Sequence, residues 1–170
     1  MPEYGISLGS NLGDRLAHLQ AARRQLLALA GTRQLAASPV YETEAMEVAP
    51  EHRHLAFLNA VLIVQSPLPP PELLQELNAI EASIGRQRGP DRNAPRPIDL
   101  DIIYAGGLVL ETAGLVLPHP RWMQRRFVVQ PLADVRPDLV LPNAAHPVKI
   151  VLLSLPDRPN VVLFSRIWTE

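Results

Sequence analysis

The chain is organised around the segment Arg96-Pro97-Ile98-Asp99-Leu100-Asp101-Ile102-Ile103-Tyr104. Apolar residues alternate here with Asp99 and Asp101, and strict alternation beside prolines is typical of a half-buried β-strand. Residues i and i+2 of a strand share a face and lie about 7 Å apart. We therefore expect both carboxylates to point to the same side of a sheet while their neighbours pack into the core.

Two carboxylates this close repel each other, so a positive group is expected between or above them. A bridging arginine meets this requirement, and so does a divalent metal. Oxygen ligands from one or two carboxylates are typical of Mg²⁺, which takes its remaining ligands from water and substrate phosphates. Asp-x-Asp alone is a weak signal, and a solvated strand face is the simpler alternative.

The composition excludes several classes of protein. The length of 170 residues favours a single domain, and the 47% hydrophobic content is that of a globular protein. A net charge of −1 argues against a general nucleic-acid binder, and the absence of Cys excludes disulfides and thiol chemistry. The first residues lack the features of a signal peptide, and no segment approaches a membrane span. We expect a soluble, cytoplasmic protein.

The N-terminal part predicts strand, helix and strand. A short strand over residues 4–8 ends in Gly9-Ser10-Asn11-Leu12-Gly13-Asp14, and a helical period runs from Arg15 to Gly31. Two glycines could form a phosphate-binding loop, but the lysine of a Walker A motif is absent, so we interpret this turn as a helix cap. A second strand is expected over residues 35–43, where Pro39 indicates an edge or a bulge.

The clearest strand covers residues 57–64, whose continuous apolar character indicates burial on both faces. Asn59 is the exception within it, because a buried amide needs hydrogen-bond partners. A neighbouring loop could satisfy it. Alternatively, Asn59 donates and accepts toward the edge of a heterocycle, with Phe57 on the same face available for stacking.

A second helix begins at Pro69-Pro70-Pro71 and ends at Gly85, and the loop of residues 86–96 follows it. The loop contains four arginines and one acid, Asp91, immediately before the paired aspartates. A charge run is usually a solvated surface. Carboxylates for Mg²⁺ beside mobile guanidinium groups are, however, the combination that a polyphosphate requires.

The C-terminal part is less regular. Gly106-Gly107 is expected to turn the Asp-bearing strand into a hairpin with residues 108–110, and residues 115–117 could add a short strand. Pro118-His119-Pro120 precedes a second basic cluster, Arg121, Arg125 and Arg126, where His119 could contact phosphate or be a simple surface residue. Residues 131–135 are expected to form a packed segment, 148–153 a short helix and 161–164 a terminal strand.

The predicted order β-α-β-β-α-β indicates an α+β sandwich of ferredoxin-like type, with an antiparallel sheet, two helices on one face and a C-terminal extension. The other face of the sheet is then expected to carry the ligands. A fold alone does not give a function.

Five motifs occur in order from about residue 4 to about 135: Ser7-Leu8-Gly9-Ser10-Asn11-Leu12-Gly13-Asp14-Arg15, Phe57-Leu58-Asn59, Gly85-Arg86-Gln87-Arg88, Pro95-Arg96-Pro97-Ile98-Asp99-Leu100-Asp101, and Pro118-His119-Pro120-Arg121 through Arg126-Phe127. Together they resemble the 6-hydroxymethyl-7,8-dihydropterin pyrophosphokinase family. The resemblance implies one pyrophosphokinase domain over residues 1–170. It also implies transfer of the diphosphoryl group of ATP to a pterin hydroxymethyl group, giving AMP, in folate biosynthesis.

The resemblance also implies a set of site residues and ligands. Asp99 and Asp101 are expected to hold two Mg²⁺ ions and to act in catalysis together with Arg86 and Arg96. ATP is the expected co-substrate, and we expect a monomer that binds neither nucleic acid nor a membrane. Pterin-binding residues are expected to be Phe57, Asn59 and Phe127, and ATP-binding residues Asn78, Arg88, Arg96, His119 and Arg125.

The sequence departs from the family pattern in two loops. Ala45 and Glu47 follow Thr43 where the family usually has Pro and Gly. Asn93 and Ala94 stand where the family often has an aromatic residue and Gly. No general base is evident, and a metal-lowered hydroxyl pKa could make one unnecessary.

Two other classes of protein remain open at this stage. A small-molecule regulatory module can share the fold but has no need of two carboxylates beside two arginine clusters. Another Mg-dependent nucleotidyl- or phosphotransferase would share the Asp-bearing strand but not the arrangement of Phe57 and Asn59.

Overall fold

The structure is a computed structural model and describes residues 1–45 and 48–169. Its strands and helices are, in chain order, β1 (Glu3–Ser10), α1 (Arg15–Leu27), β2 (Arg33–Ala37), β3 (Val40–Thr43), β4 (Phe57–Gln65), α2 (Pro70–Ile84), β5 (Asp99–Ala105), β6 (Leu110–Glu111), β7 (Val116–Leu117), α3 (Arg126–Val135), α4 (Val148–Ser154) and β8 (Val161–Ser165).

Six of the strands form one antiparallel sheet in the order β5-β1-β4-β3-β8, and β2 pairs with β4 beside β3. The long strand β4 lies at its centre, as its apolar sequence predicts, and its seven interior residues are buried. From β1 to β5 the order is β-α-β-β-β-α-β, which is the expected β-α-β-β-α-β order with its second strand divided into β2 and β3.

One face of the sheet packs against α1 and α2. Alternate residues of β1, Tyr4, Ile6 and Leu8, contribute to this core together with Leu100 and Ile102 of β5. The period of two along each strand sends the intervening residues to the opposite face. Asp99 and Asp101 therefore lie on the face away from α1 and α2, as the alternation predicts.

The opposite face carries a second apolar core as well as polar residues. Val61 and Ile63 of β4 and Tyr104 of β5 pack there with residues of α3 and α4, including Val129 and Leu132. The sequence predicted helices on one face only. Helices α3 and α4 cover part of the second face, and the end of that face near Asp99 lines a pocket.

Two local expectations need correction, and a third, the packed segment over residues 131–135, is confirmed in the form of a helix that was not predicted. Residues 35–43 form two strands rather than one, because Ser38 and Pro39 interrupt them. The Asp-bearing strand does not form a hairpin with residues 108–110, since β6 pairs with β7 instead. Residues 131–135 belong to α3, a helix with Pro131 in its interior.

The C-terminal extension forms the predicted short helix, α4, and the predicted strand, β8. Strand β8 pairs with β3 at the edge of the sheet. After it, the Trp168 side chain is buried, and its Nε1 donates to the carbonyl of Ser38 across 2.7 Å. Among the described residues, no helix has both the length and the apolar character needed to cross a membrane.

Candidate active site

A pocket of about 310 Å³ opens on the second face of the sheet, between the ends of β1, β4 and β5 and the start of α3. It gathers residues that are far apart in the sequence and that were expected to form the site. Those in its wall are Phe57, Asn59, Arg96, Asp99, Asp101, His119, Arg125 and Phe127.

The two carboxylates stand beside small residues of the neighbouring strand. In the ladder between β1 and β5, Gly9 pairs with Asp99 and Ser7 pairs with Asp101. All four residues line the pocket. Because these two neighbours on β1 are a glycine and a serine, that strand leaves space for the carboxylates to line the pocket.

An arginine already contacts one of the carboxylates. Arg86 Nη1 donates to Asp99 Oδ1 across 2.7 Å, and Arg96 Nε lies 3.6 Å from Asp99 Oδ2. The two alternatives for the positive group, an arginine and a metal ion, are therefore compatible. The arginines contact Asp99, and both aspartates still line the pocket.

The pKa of Asp101 is raised to about 6, first by burial and then by the negative charge of Asp99. Arg125 acts in the opposite direction but does not compensate fully. A raised carboxyl pKa means that the site disfavours a further negative charge and accepts a positive one.

Hard oxygen donors of this kind fit Mg²⁺. Within residues 1–45 and 48–169, no group of three or more His, Cys, Asp or Glu side chains is arranged to hold a metal ion. Two carboxylates alone leave most coordination positions to water and phosphate oxygens, which is the usual manner of Mg²⁺ binding at nucleotide sites.

Glu81 is a residue of the site that sequence reasoning missed. It lies in α2 with 2% of its surface exposed, and it forms ion pairs with Arg86 and Arg88. Its carboxylate also accepts the backbone N–H of Leu100, in the Asp-bearing strand. Burial raises the pKa of Glu81, against the effect of the nearby Arg86.

The sequence did contain a signal for Glu81. It is four residues after Leu77 and three before Ile84, so a helical period places an acid on the buried stripe of α2. Such an acid requires a cationic partner, and the arginine-rich loop begins two residues after Ile84.

Three of the expected site residues form a cluster around Glu81 and are not in the pocket wall: Asn78, Arg86 and Arg88. Arg86 and Arg88 are held by Glu81, and Arg88 Nη2 also donates to Asn78 Oδ1 across 3.4 Å. The cluster fixes the start of the loop of residues 86–96 next to Asp99.

The end of that loop is held by the turn after β1. The backbone N–H of Arg96 donates to Asn11 Oδ1 across 2.8 Å, and the N–H of Asn11 donates to the carbonyl of Arg96. The same turn caps α1, because Asp14 Oδ1 accepts the N–H of Ala17. The predicted capping role is confirmed, and the contact with Arg96 is additional.

The predicted pterin-binding residues lie together. Asn59 is 4% exposed, and its Nδ2 donates to Thr43 Oγ1 across 3.0 Å. The guanidinium of Arg96 lies 5.4 Å from the centre of the Phe57 ring, and that of Arg125 lies 5.7 Å from the Phe127 ring. The two interpretations of Asn59 are compatible, because a neighbouring residue satisfies one N–H while the side chain still lines the pocket.

His119 is half-buried in the pocket wall rather than a simple surface residue. Its Nδ1 accepts the backbone N–H of Arg121 across 3.1 Å. Burial and the nearby charges of Arg125 and Arg121 lower the pKa of His119 to about 4. The imidazole is therefore neutral near pH 7 with its proton on Nε2, which makes it a hydrogen-bond donor.

The two loops that depart from the family pattern are only partly described. Asn93 lines the pocket, and its backbone N–H donates to Asp91 Oδ1 across 2.9 Å. Glu44, beside Ala45, also lines the pocket. Glu47 lies outside the described residues.

Comparison with known proteins assigns the family. A sequence profile of the family described as 7,8-dihydro-6-hydroxymethylpterin-pyrophosphokinase (HPPK) matches residues 5–137. The chain belongs to the HPPK family.

Several curated relatives of this HPPK-family chain have names from folate synthesis. The chain is 42% identical over 137 residues to the folic acid synthesis protein fol1 of Pneumocystis carinii, covering 81% of this chain and 18% of that protein. It is 40% identical over 141 residues to the 2-amino-4-hydroxy-6-hydroxymethyldihydropteridine pyrophosphokinase of Pseudomonas aeruginosa, and the match covers 83% of this chain and 85% of that protein. The chain thus spans about a fifth of the fol1 protein and most of the Pseudomonas protein.

Solved structures resemble the fold. A crystal structure of an HPPK-DHPS protein in complex with substrates matches with a TM-score of 0.69 and 14% identity, covering 90% of this chain and 42% of that one. A Plasmodium falciparum HPPK-DHPS matches equally well, at 12% identity. At such identities the likeness concerns the fold, and the predicted ferredoxin-like class is confirmed.

Proposed function

We propose that this HPPK-family chain transfers the diphosphoryl group of ATP to 6-hydroxymethyl-7,8-dihydropterin. The products are AMP and the pterin diphosphate, in a step of folate biosynthesis. One observation carries the proposal: the two carboxylates, the Asn59 amide and the rings of Phe57 and Phe127 line the same pocket. This shared lining supports a phosphate-transfer site next to a site for a flat heterocycle.

Asp99 and Asp101 would hold Mg²⁺, with two ions expected from the family. When bound, Mg²⁺ neutralises phosphate charge and lowers the pKa of a coordinated hydroxyl. Arg86 keeps the Asp99 carboxylate in place through their hydrogen bond. Positioning and charge neutralisation of this kind supply most of the acceleration in phosphoryl-type transfer.

Cationic and neutral donors on the pocket wall would bind the phosphates of ATP. Arg96 and Arg125 bring guanidinium groups, which bind phosphate oxygens in bidentate fashion. His119 adds an Nε2–H donor that stays neutral near pH 7. We assign it to hydrogen bonding rather than to general base catalysis, because a pKa of about 4 makes a weak base.

The acceptor heterocycle would lie against Asn59, between Phe57 and Phe127. Buried aromatic rings bind a flat ring by stacking, and an amide matches a ring edge that offers both a donor and an acceptor. Dependence on ATP and Mg²⁺, a monomeric state and a cytoplasmic location belong to the same proposal.

The test is incubation of the chain with Mg-ATP and 6-hydroxymethyl-7,8-dihydropterin, with separation of the nucleotide products. We expect pterin-dependent formation of AMP. Formation of ADP instead would indicate a phosphotransferase of another type. Binding of ATP without turnover would favour a regulatory module, and either result would overturn the proposal.

A further inference from the structure

The segment between α4 and β8 contributes to the wall of the candidate active site. We call residues 155–160 the C-terminal strap. Pro159 of this strap lines the pocket that contains Asp99 and Asp101. The family profile matches residues 5–137, so this part of the wall lies outside the matched region. The C-terminal extension therefore supplies a part of the site that the family match does not describe.

At its start, the C-terminal strap is attached to α3. The carbonyls of Leu155 and Pro156 both accept hydrogen bonds from Arg126 Nη1, each across 3.5 Å. Arg126 is the first residue of α3 and lines the pocket. In the chain it stands between Arg125, expected to bind ATP, and Phe127, expected to bind the heterocycle. The strap thus begins beside the α3 side of the site.

At its end, the C-terminal strap is attached to Glu44, the first residue after β3. The backbone N–H of Asn160 donates to Glu44 Oε1 across 2.9 Å, and Arg158 Nη1 lies 3.3 Å from the same oxygen. The N–H of Asn160, and to a lesser degree Arg158, lower the pKa of Glu44. Glu44 lines the pocket and follows Thr43, which pairs with Phe57. The strap thus joins the α3 side of the pocket to its β3 side.

The C-terminal strap has open space on both sides. The pocket of about 310 Å³ lies on one side, where Pro159 faces it, and a second cavity of about 430 Å³ lies on the other. Glu44 lines both cavities, and Asp157, Arg158 and Asn160 line the second one. A segment between two cavities depends for its position on its hydrogen bonds and ion pairs more than on packing. Loss of one of these contacts should therefore shift the strap.

We propose that the C-terminal strap is a functional part of the active site and that Arg158 is a positioning residue acting through Glu44. By binding Glu44, the strap keeps Pro159 in the pocket wall on the side of Phe57 and Phe127, which raises the affinity for the acceptor heterocycle. Arg158 lines the second cavity, so it acts on the acceptor without contacting it. The inference rests on the proposed function, because the acceptor substrate is the ligand whose affinity the strap sets.

The first test is a double-mutant cycle with Arg158→Ala and Glu44→Ala. Loss of an exposed ion pair changes an equilibrium by about two- to fivefold, so Arg158→Ala should raise the Kd and the KM of hydroxymethyl-dihydropterin by this factor. Its kcat and its Kd for a non-hydrolysable Mg-ATP analogue should stay within about twofold of the wild type. Glu44→Ala also loses the bond from Asn160 and should raise the acceptor Kd about tenfold. Adding Arg158→Ala to Glu44→Ala should then have no further effect.

Arg33→Ala is the matched control for Arg158→Ala. Arg33 is also an exposed arginine with a side-chain partner, but this partner is Gln65, at the opposite end of β4 from Phe57. The control should bind the acceptor and the Mg-ATP analogue as the wild type does. Thermal melts of all variants separate a change in affinity from a loss of folding.

Salt provides a readout that a merely structural role of Arg158 would not change. The acceptor carries no net charge, whereas sodium chloride at about 0.5 M screens an exposed ion pair. With the Mg-ATP analogue at saturation, salt should weaken acceptor binding to the wild type about as much as Arg158→Ala does. Acceptor binding to Arg158→Ala itself should be nearly independent of salt.

The outcomes distinguish this inference from the proposed function. Binding is measured by calorimetry, and AMP is measured as the product. A wild-type chain that binds no pterin and forms no AMP overturns the proposed function and the inference with it. A wild-type chain that forms AMP, with Arg158→Ala and Glu44→Ala equal to it in acceptor affinity, overturns the inference alone. Additive effects of the two substitutions, or equal losses of acceptor and Mg-ATP affinity in Arg158→Ala, also overturn it.

Discussion

Arg86 Nη1 donates a hydrogen bond to Asp99 Oδ1 across 2.7 Å, from a guanidinium group whose side chain is only 12% exposed. The same nitrogen is bound by Glu81, so a helix and a strand are joined at the edge of the pocket. Asp99 thus has a fixed orientation before any ligand binds. Asp101 lies on the same face, and burial and the negative charge of Asp99 raise the pKa of its carboxyl group.

Asp99→Asn and Asp101→Asn are each expected to fold and to lose activity by about 10²–10³-fold. An isosteric amide preserves the packing but removes a charge that stabilises the transition state. The measurement is the rate of pterin-dependent AMP formation, with circular dichroism to verify folding.

Asp138→Asn is the matched control for these variants. Asp138 is 81% exposed and pairs with Lys149 on the surface, so its amide variant should keep full activity. Near-normal turnover in both pocket variants would contradict the assignment of the carboxylates to the metal.

The stability of the metal-free chain should depend on pH through Asp101. Its pKa is about 6 in the folded chain against an ordinary value of 3.8, so the folded state binds the proton first as the pH falls. Above about pH 7 the carboxyl is charged in both states and its burial destabilises the fold. As the pH falls from about 7 to about 4, the chain therefore gains stability from this group.

Asp101→Asn should consequently be more stable than the wild type at about pH 7.5, and this advantage should shrink at about pH 4.5. Urea unfolding in buffer with a chelator measures the free energy of unfolding at both values. An advantage of Asp101→Asn that is equal at both pH values would show that Asp101 is not the group responsible.

Glu81→Gln should lower kcat by about tenfold. The amide keeps an acceptor but loses the charge, and a hydrogen bond to a charged group is stronger than a neutral one by about 1 kcal/mol or more. Arg86 and Arg88 should then be held less firmly. Steady-state kinetics measure the effect, with Glu76→Gln on the exposed side of α2 as the control. Equal losses in both variants would argue against a specific role of Glu81.

The loop of residues 86–96 should exchange its amide hydrogens rapidly in the free chain and slowly with Mg-ATP. Residues 87–93 are exposed and form neither helix nor strand, whereas Glu81 and Asn11 hold the two ends. Such segments have low local stability and become ordered when a ligand binds. Hydrogen exchange read by mass spectrometry tests this. Slow exchange in the free chain, unchanged by Mg-ATP, would rule out closure of the loop.

Local sequence patterns predict much of the fold and part of the candidate site. The alternation around Asp99 predicts the strand and the shared face of the two carboxylates, and the apolar run around Asn59 predicts the central strand. Both patterns depend only on a period of two residues, which the backbone imposes.

The features that could not be predicted from the sequence depend on contacts between distant segments of the chain. The bond from Arg86 to Glu81 and Asp99 joins a helix to a strand, and the contact of Asn11 with Arg96 spans 85 residues. Helix α3 was missed because Pro131 argues against a helix, although the packing of Val129 and Leu132 on the sheet outweighs this local preference.

The docking of β8 on β3 has a consequence for the kinetics of folding. The indole of Trp168 bonds to the carbonyl of Ser38, 130 residues away in the sequence, so this edge of the sheet closes through one of the longest loops in the chain. Contacts of such high separation form slowly, because the entropy of loop closure must be overcome first. Until these contacts form, β3 presents an unpaired edge that can bind a strand of another chain. We therefore expect aggregation of this protein to occur while it folds, at high concentrations of incompletely folded chains.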